Sequence, residues 1–173
     1  FLFLCIFATI KYSDRYNFDR KFHELENVEK SNSIKISSFS KSLKGLNWIS
    51  PYFTNPKEEL EIMKNLFMVL KNDQTNKMLI TEYNFFSSVL GENLNSPSRT
   101  FDNISYPKKN TIYYENYRKF FINKIISKKI INLYVFEPIE INQKRLDHLI
   151  FDYISKDCFE IEHINPFIKK LVL

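Results

Sequence analysis

Arginine is scarce beside lysine in this chain, so Arg99, set in a polar loop between Pro97 and Pro107, is the side chain whose type and setting most suit chemistry. Its planar guanidinium fork matches the paired oxygens of a phosphate or carboxylate. Ser96, Ser98 and Thr100 place hydroxyl donors beside it, and Asp102 and Tyr106 follow in the same stretch. Glu82 and Tyr83 end the apolar run that precedes the loop. Such a set would bind an anionic ligand. Asp102 has the chemistry of a general base, but no partner carboxylate is marked and nothing nearby raises its pKa, so no catalytic residue is assigned. The structural alternative is a loop folded over a sheet edge, with Arg99 tied to Glu82, Asp102 or a main-chain carbonyl.

The elements that must position these residues run from Lys77 to Pro107. The apolar centre Met78, Leu79 and Ile80 fits a buried strand over residues 77–83, and Phe85, Phe86, Val89 and Leu90 have helical spacing. Gly91 closes that helix. In an open α/β sheet, ligands sit beyond the carboxyl ends of the strands, which makes Glu82 to Phe85 and the loop after Leu90 the expected site.

The other elements surround that edge. Asn55 as N-cap, Pro56 at the first helical position and Glu58 and Glu59 in the first turn open the clearest helix, with Leu60, Met63, Phe67 and Leu70 on one stripe. Asn72 and Asp73 stop it. Residues 46–50, LNWIS, read as a first strand of the sheet, and residues 111–129 as a second long helix carrying Tyr113, Tyr117, Phe120, Phe121 and Ile125. Residues 130–136, IINLYVF, read as a second buried strand, followed by a helix that Asn142 can cap, with Leu146, Leu149, Ile150, Tyr153 and Ile154 inward. Residues 158–161 and 168–173 are terminal strand candidates. This order predicts an α/β domain: a small, mainly parallel, Rossmann-like sheet with helices on both faces, preceded by the end of a transmembrane helix.

Composition narrows the function classes. With 2 Gly in 173 residues, a dinucleotide fingerprint or phosphate loop is excluded. Neither Cys5 nor Cys158 has metal-ligand spacing with His23, His148 or His163, so neither metal nor cofactor is expected. The count of 17 Phe and 10 Tyr beside abundant Lys, Ile and Asn matches AT-rich codon usage. The net charge of +5 therefore reads as a solvated lysine surface, with a nucleic-acid or anionic-membrane face as the alternative. No arginine cluster or finger spacing supports nucleic acid as a partner.

The first ten residues, FLFLCIFATI, are continuously apolar and start without Met. A membrane span needs ~20 such residues, and a signal peptide would show a basic start and small residues at a cleavage site. The expected organisation is therefore the end of a truncated transmembrane helix over 1–11, a juxtamembrane helix and connector over 12–45, and a soluble α/β domain over 46–173. Tyr12 and Tyr16 fall where interfacial aromatics belong, among Lys11, Arg15, Arg20 and Lys21. Taken alone, that positive cluster argues for a cytoplasmic exit.

The segments FHELENV (22–28), KGLNWISPYFTNPKEELE (44–61), KMLITEYNFFSSVLG (77–91) and NSPSRTFDNISYP (95–107), following a fading apolar helix, resemble the C-terminal region of GT-C-type bacterial membrane glycosyltransferases. These include the relatives of protein mannosyltransferase and lipid A aminoarabinose transferase. The resemblance implies a bundle of membrane helices before Phe1, with the α/β domain on the periplasmic side of the inner membrane. It implies catalysis by an acidic residue elsewhere, so that this chain alone is inactive. Its partners would be the bilayer, the missing transmembrane bundle and a polyprenyl-phosphate-linked sugar, with 95–107 assisting donor or acceptor recognition. The positive juxtamembrane charge departs from that sidedness. Two other readings stand beside it: a membrane-tethered, self-sufficient α/β ligand-binding or transferase domain, and a scaffold that packs an enzyme against a partner.

Overall fold

The computed structural model describes residues 2–15, 29–50, 52–98, 106–137 and 150–173. The chain divides into two units, Phe1–Glu59 and Leu60–Leu173.

The first unit opens with helix α1 (Leu2–Arg15). The juxtamembrane helix expected over 16–28 lies outside the described residues. Strand β1 (Ile34–Lys35) pairs antiparallel with β2 (Asn47–Trp48), Ile34 opposite Trp48. Two 3-10 turns, Ile36–Ser38 and Lys41–Leu43, lie between them and bury Ile36 and Phe39. Gly45, at φ +91°, reverses the chain into β2, a conformation that a Cβ would strain. The expected first strand of the main sheet, 46–50, thus belongs to a separate two-stranded ribbon. Its extended part is two residues long, and the Trp48 indole donates to Glu59 Oε2 at 2.7 Å. Ser50 then turns the chain, its Oγ accepting the N–H groups of Tyr52 (3.2 Å) and Phe53 (2.9 Å).

Helix α2 (Pro56–Asn72) starts as its residues predict: Asn55 Oδ1 accepts the Lys57 N–H at 3.2 Å, and Glu58 and Glu59 stand in the first turn. Leu60, Met63, Leu66 and Leu70 form its buried stripe. In the second unit follow β3 (Lys77–Ile80), the short α3 (Phe86–Leu90), α4 (Tyr114–Ser127) and β4 (Asn132–Phe136). A helical turn over 150–153 leads to β5 (Glu160–Asn165) and β6 (Ile168–Val172). Gly91 ends α3 in the left-handed region at φ +71°, its N–H on Ser87 O.

The four-stranded sheet has the order β3-β4-β6-β5. Only β3 and β4 run parallel, in the register Met78 to Leu133 and Ile80 to Val135; β6 is antiparallel to both β4 and β5. The sheet is mixed, which corrects the expectation of a mainly parallel one. A parallel connection needs a crossover of a dozen residues or more, whereas Pro166 and Phe167 alone separate β5 from β6. Asn165 sets that hairpin, its Oδ1 accepting the N–H groups of Phe167 (2.8 Å) and Ile168 (2.9 Å).

Every residue of β3 and β4 is buried, so both faces of the sheet's centre are covered. On one face Met78, Ile80, Leu133, Val135 and Leu171 meet Tyr114 and Phe121 of α4, Ile150, Tyr153 and Ile154. The other face carries Leu79, Tyr134, Phe136 and Ile168, with the Phe86 ring edge-on to Phe136 at 6.0 Å. Phe121 is wholly enclosed, and its neighbour Phe120 points outward. Phe121→Ala should therefore cost about 3–5 kcal/mol of unfolding free energy and Phe120→Ala less than about 1 kcal/mol, read from urea unfolding midpoints.

Candidate functional site

The loop after α3 is described as far as Ser98. It turns back along the strand's free edge. Leu94 O accepts the Leu79 N–H (2.9 Å), Asn95 Nδ2 donates to Lys77 O (3.0 Å), and Ser96 Oγ donates to Leu79 O (2.7 Å). Asn95 takes a left-handed φ of +52° to do so, a region asparagine tolerates. Lys124 of α4 then donates from Nζ to Ser96 O at 2.8 Å, and burial of that ammonium, with Lys128 nearby, lowers its pKa. Ser96 is thus a clasp between α4 and the edge of the sheet, with Ser98 half-buried just after it.

Of the other candidates, Tyr106 is part of the core. Its ring lies 5.5 Å from that of Tyr117 and 6.1 Å from that of Tyr153. Tyr114 donates its hydroxyl to Asp152 O, and Tyr153 donates to Pro107 O. Burial raises the Tyr153 pKa, and the neighbouring Tyr117, Tyr114 and Asp152 add to it. The Tyr117 hydroxyl is buried without a well-formed hydrogen bond among the described residues; burial raises its pKa, against a lowering by the Tyr106 hydroxyl. Arg99 and Asp102, with Thr100, lie outside the described residues. The sequence-predicted set is therefore not brought together among the residues the structure describes: Ser96 lies on the strand edge, Tyr106 in the core, and Glu82 and Tyr83 at the strand's end.

That carboxyl end is built of aromatic rings. The Tyr83 ring sits 5.3 Å from Phe136 and 6.4 Å from Phe85, and Phe85 stacks on Phe86 at 4.9 Å. Thr81 Oγ1 accepts the Tyr83 N–H (3.1 Å) and bends the chain away from the sheet. Glu82 follows β3 by two residues and Glu137 directly follows β4, each past the last paired residue of its strand. Glu82 is exposed, whereas Glu137 is buried. What marks Glu137 is burial, which no local pattern displays.

A second cluster lies at the opposite end of the same two strands, where the sequence marks only a helix stop. Asp73 follows α2, and its Oδ2 accepts the Tyr134 hydroxyl (2.7 Å) and Asn132 Nδ2 (2.8 Å), while Oδ1 accepts the Thr75 N–H (2.8 Å). Partial burial pushes this carboxyl up, but its hydrogen bonds to Thr75, Tyr134 and Asn132 outweigh that and bring it from 3.8 to about 2. Burial followed by the hydrogen bond and charge of Asp73 raises the Tyr134 phenol in turn. Asp73 O accepts from Lys77 Nζ at 2.6 Å, and that buried ammonium is forked onto Glu92, 3.0 and 3.2 Å from its two oxygens. The arrangement has the donors and acceptors of a structural clamp, with its polar groups directed at one another. No group of three or more metal-ligating side chains occurs among the described residues, nor any helix long and apolar enough to cross a membrane.

Comparison with protein-family models, curated proteins and solved structures yields no match.

The Asp73 clamp has a pH signature. Its folded pKa lies below the unfolded value, so its contribution is fully present above the unfolded pKa and disappears as the pH falls through the folded one. Asp73→Asn should lower stability by roughly 1–3 kcal/mol at neutral pH. The gap from wild type should narrow between pH 3.8 and about 2 and close below it, read by urea unfolding across that range. A gap that stays constant would deny the carboxylate its role.

Proposed function

We propose that this chain is a membrane-attached, non-catalytic α/β domain of an integral membrane glycosyltransferase that uses a polyprenyl-phosphate-linked sugar, helping to recognise donor or acceptor on the extracytoplasmic side. The observation that carries the membrane attachment is α1. Leu2, Phe3, Leu4, Ile6, Phe7 and Ile10 are each between 50% and 88% exposed, and their positions run round most of the helix. Burying such side chains is worth about 1.5–3 kcal/mol apiece, which water forfeits and hydrocarbon supplies. Fourteen residues rise about 21 Å, short of the ~30 Å hydrocarbon core, so α1 accounts for a membrane-embedded segment and not a complete crossing.

The segments that resemble the GT-C enzymes support the transferase part of the reading. So does the use of Ser96 and Tyr106 within the fold, which suits a domain that shapes a site without performing its chemistry. In this reading the sheet is a platform with α4 on the Met78 face and α3 on the Phe136 face, and Arg99 contacts the lipid-linked ligand. The alternative is a tethered and self-sufficient ligand-binding domain.

Two measurements test the proposal. The chain should float with neutral phosphatidylcholine vesicles, and Phe3→Asp with Phe7→Asp should abolish flotation; flotation that survives both changes removes α1 from the bilayer. In the full-length protein, Arg99→Ala should lower sugar transfer from a polyprenyl-phosphate donor at least about tenfold at unchanged expression, the scale of a lost charge-assisted bidentate contact. Unchanged transfer would take the loop out of the site, and a wild type that transfers no sugar would favour the self-sufficient binding domain.

A further inference from the structure

The positive charge of the chain is concentrated. Residues 106–131 hold seven Lys and Arg against one acid, Glu115, whereas the other 147 residues hold 18 basic and 19 acidic side chains. The whole net charge of +5 thus originates in α4 and the turns that flank it. Three of the seven are held by the fold: Lys109 pairs with Asp152 at 2.6 Å, Arg118 Nε donates to Tyr153 O at 3.3 Å, and Lys124 grips Ser96 O. Lys108, Lys119, Lys128 and Lys129 are exposed and have no acidic partner among the described residues.

Exposed apolar side chains share this segment. Ile112 is 85% and Ile126 67% exposed, and Tyr113, Phe120 and Ile131 are also turned outward. Asn116, Lys119, Asn123 and Ile126 recur at helical spacing on the side of α4 away from Tyr114 and Phe121, which face the core. At these exposures the Ile112 and Ile126 side chains bury little surface within the fold.

We infer that the outer face of α4, with the turns on either side of it, is a docking surface for an anionic lipid bilayer. The inference takes its setting from the membrane attachment proposed above and needs none of the sugar chemistry. At a lipid interface, isolated aliphatic and aromatic side chains enter the boundary between headgroups and acyl chains, while lysines extend along it to reach phosphate. Each lysine near such a surface adds roughly a fivefold factor in partitioning. Nucleic acid fits the same charge less well. Its recognition favours arginine forks and stacking rings, and Arg118, the one arginine of the segment, is tied to the Tyr153 carbonyl. A helical protein partner fits poorly too, because Asn116, Lys119 and Asn123 interrupt the stripe it would have to bury.

The test footprints lysines by acetylation and mass spectrometry on the full chain bound to vesicles of phosphatidylcholine, with or without about 30% phosphatidylglycerol. With the anionic lipid, acetylation of Lys108, Lys119, Lys128 and Lys129 should fall at least about fivefold relative to the exposed Lys71 on α2, and high salt should restore it. The variant with all four changed to Gln, folded by circular dichroism, should lose the added affinity for anionic vesicles and still float with neutral ones. Equal acetylation with and without anionic lipid, while the chain floats with both, would overturn the inference and leave the α1 attachment standing. Salt-sensitive protection on anionic vesicles without flotation on neutral ones would uphold α4 and refute α1. Protection by a short single-stranded RNA but not by anionic vesicles would overturn the inference in favour of nucleic acid.

Discussion

The Asp73 carboxylate fixes the arrangement on which the second unit depends. It sits where α2 ends and the chain turns into β3, and its oxygens take donors from Asn132 and Tyr134 on β4, 59 and 61 residues further on. Its carbonyl takes the Lys77 ammonium, which reaches on to Glu92 in the loop after α3. One residue thus joins the end of a helix, the first residue of one strand, the body of the next and the start of the edge loop. Parallel strands gain little from local contacts, because their pairing awaits closure of a long connection. A charged acceptor shared by two donors from β4 secures the register of β3 and β4 at the point where that pairing begins.

What was legible in the sequence follows from the range of the interactions. The α2 stripe, its Asn55 and Pro56 start, the Gly91 stop and the apolar runs of β3 and β4 are local patterns, and the structure contains each of them. The sequence places terminal strands at 158–161 and 168–173, with room between them for a longer connection; the first strand in fact runs to Asn165, and Pro166 and Phe167 then join the two as an antiparallel hairpin. Asp73, Glu137 and the clasp at Ser96 were not legible as such. Their partners lie far along the chain, or are main-chain atoms that carry no signature of residue type.

The candidate site illustrates the same limit. A serine in a polar loop reads equally as a ligand donor and as cover for a strand edge, and the decision rests on where the loop runs. Here β3 would otherwise expose a row of unpaired backbone groups, and residues 94–96 satisfy them. The opposite edge is managed by other means. Strand β5 carries Glu160, Glu162 and His163 in exposed positions and an irregularity between His163 and Asn165, so charge and broken register oppose edge-to-edge pairing there.

The shortage of small residues constrains how this domain can meet a ligand. With 2 Gly and 1 Ala in the chain, few positions give a phosphate easy access to the backbone, and the space within is filled by rings such as Tyr106, Tyr114, Tyr117 and Tyr153. Recognition of an anion must then fall to side chains. Lysine charges on a helix exterior act over several ångströms without exact geometry, which suits a fluid array of headgroups better than a single buried phosphate. The same composition that excludes a nucleotide pocket therefore favours a surface that reads charge over an area, and α4 with its flanking turns, which together carry four lysines free of acidic partners among the described residues, is where the chain places it.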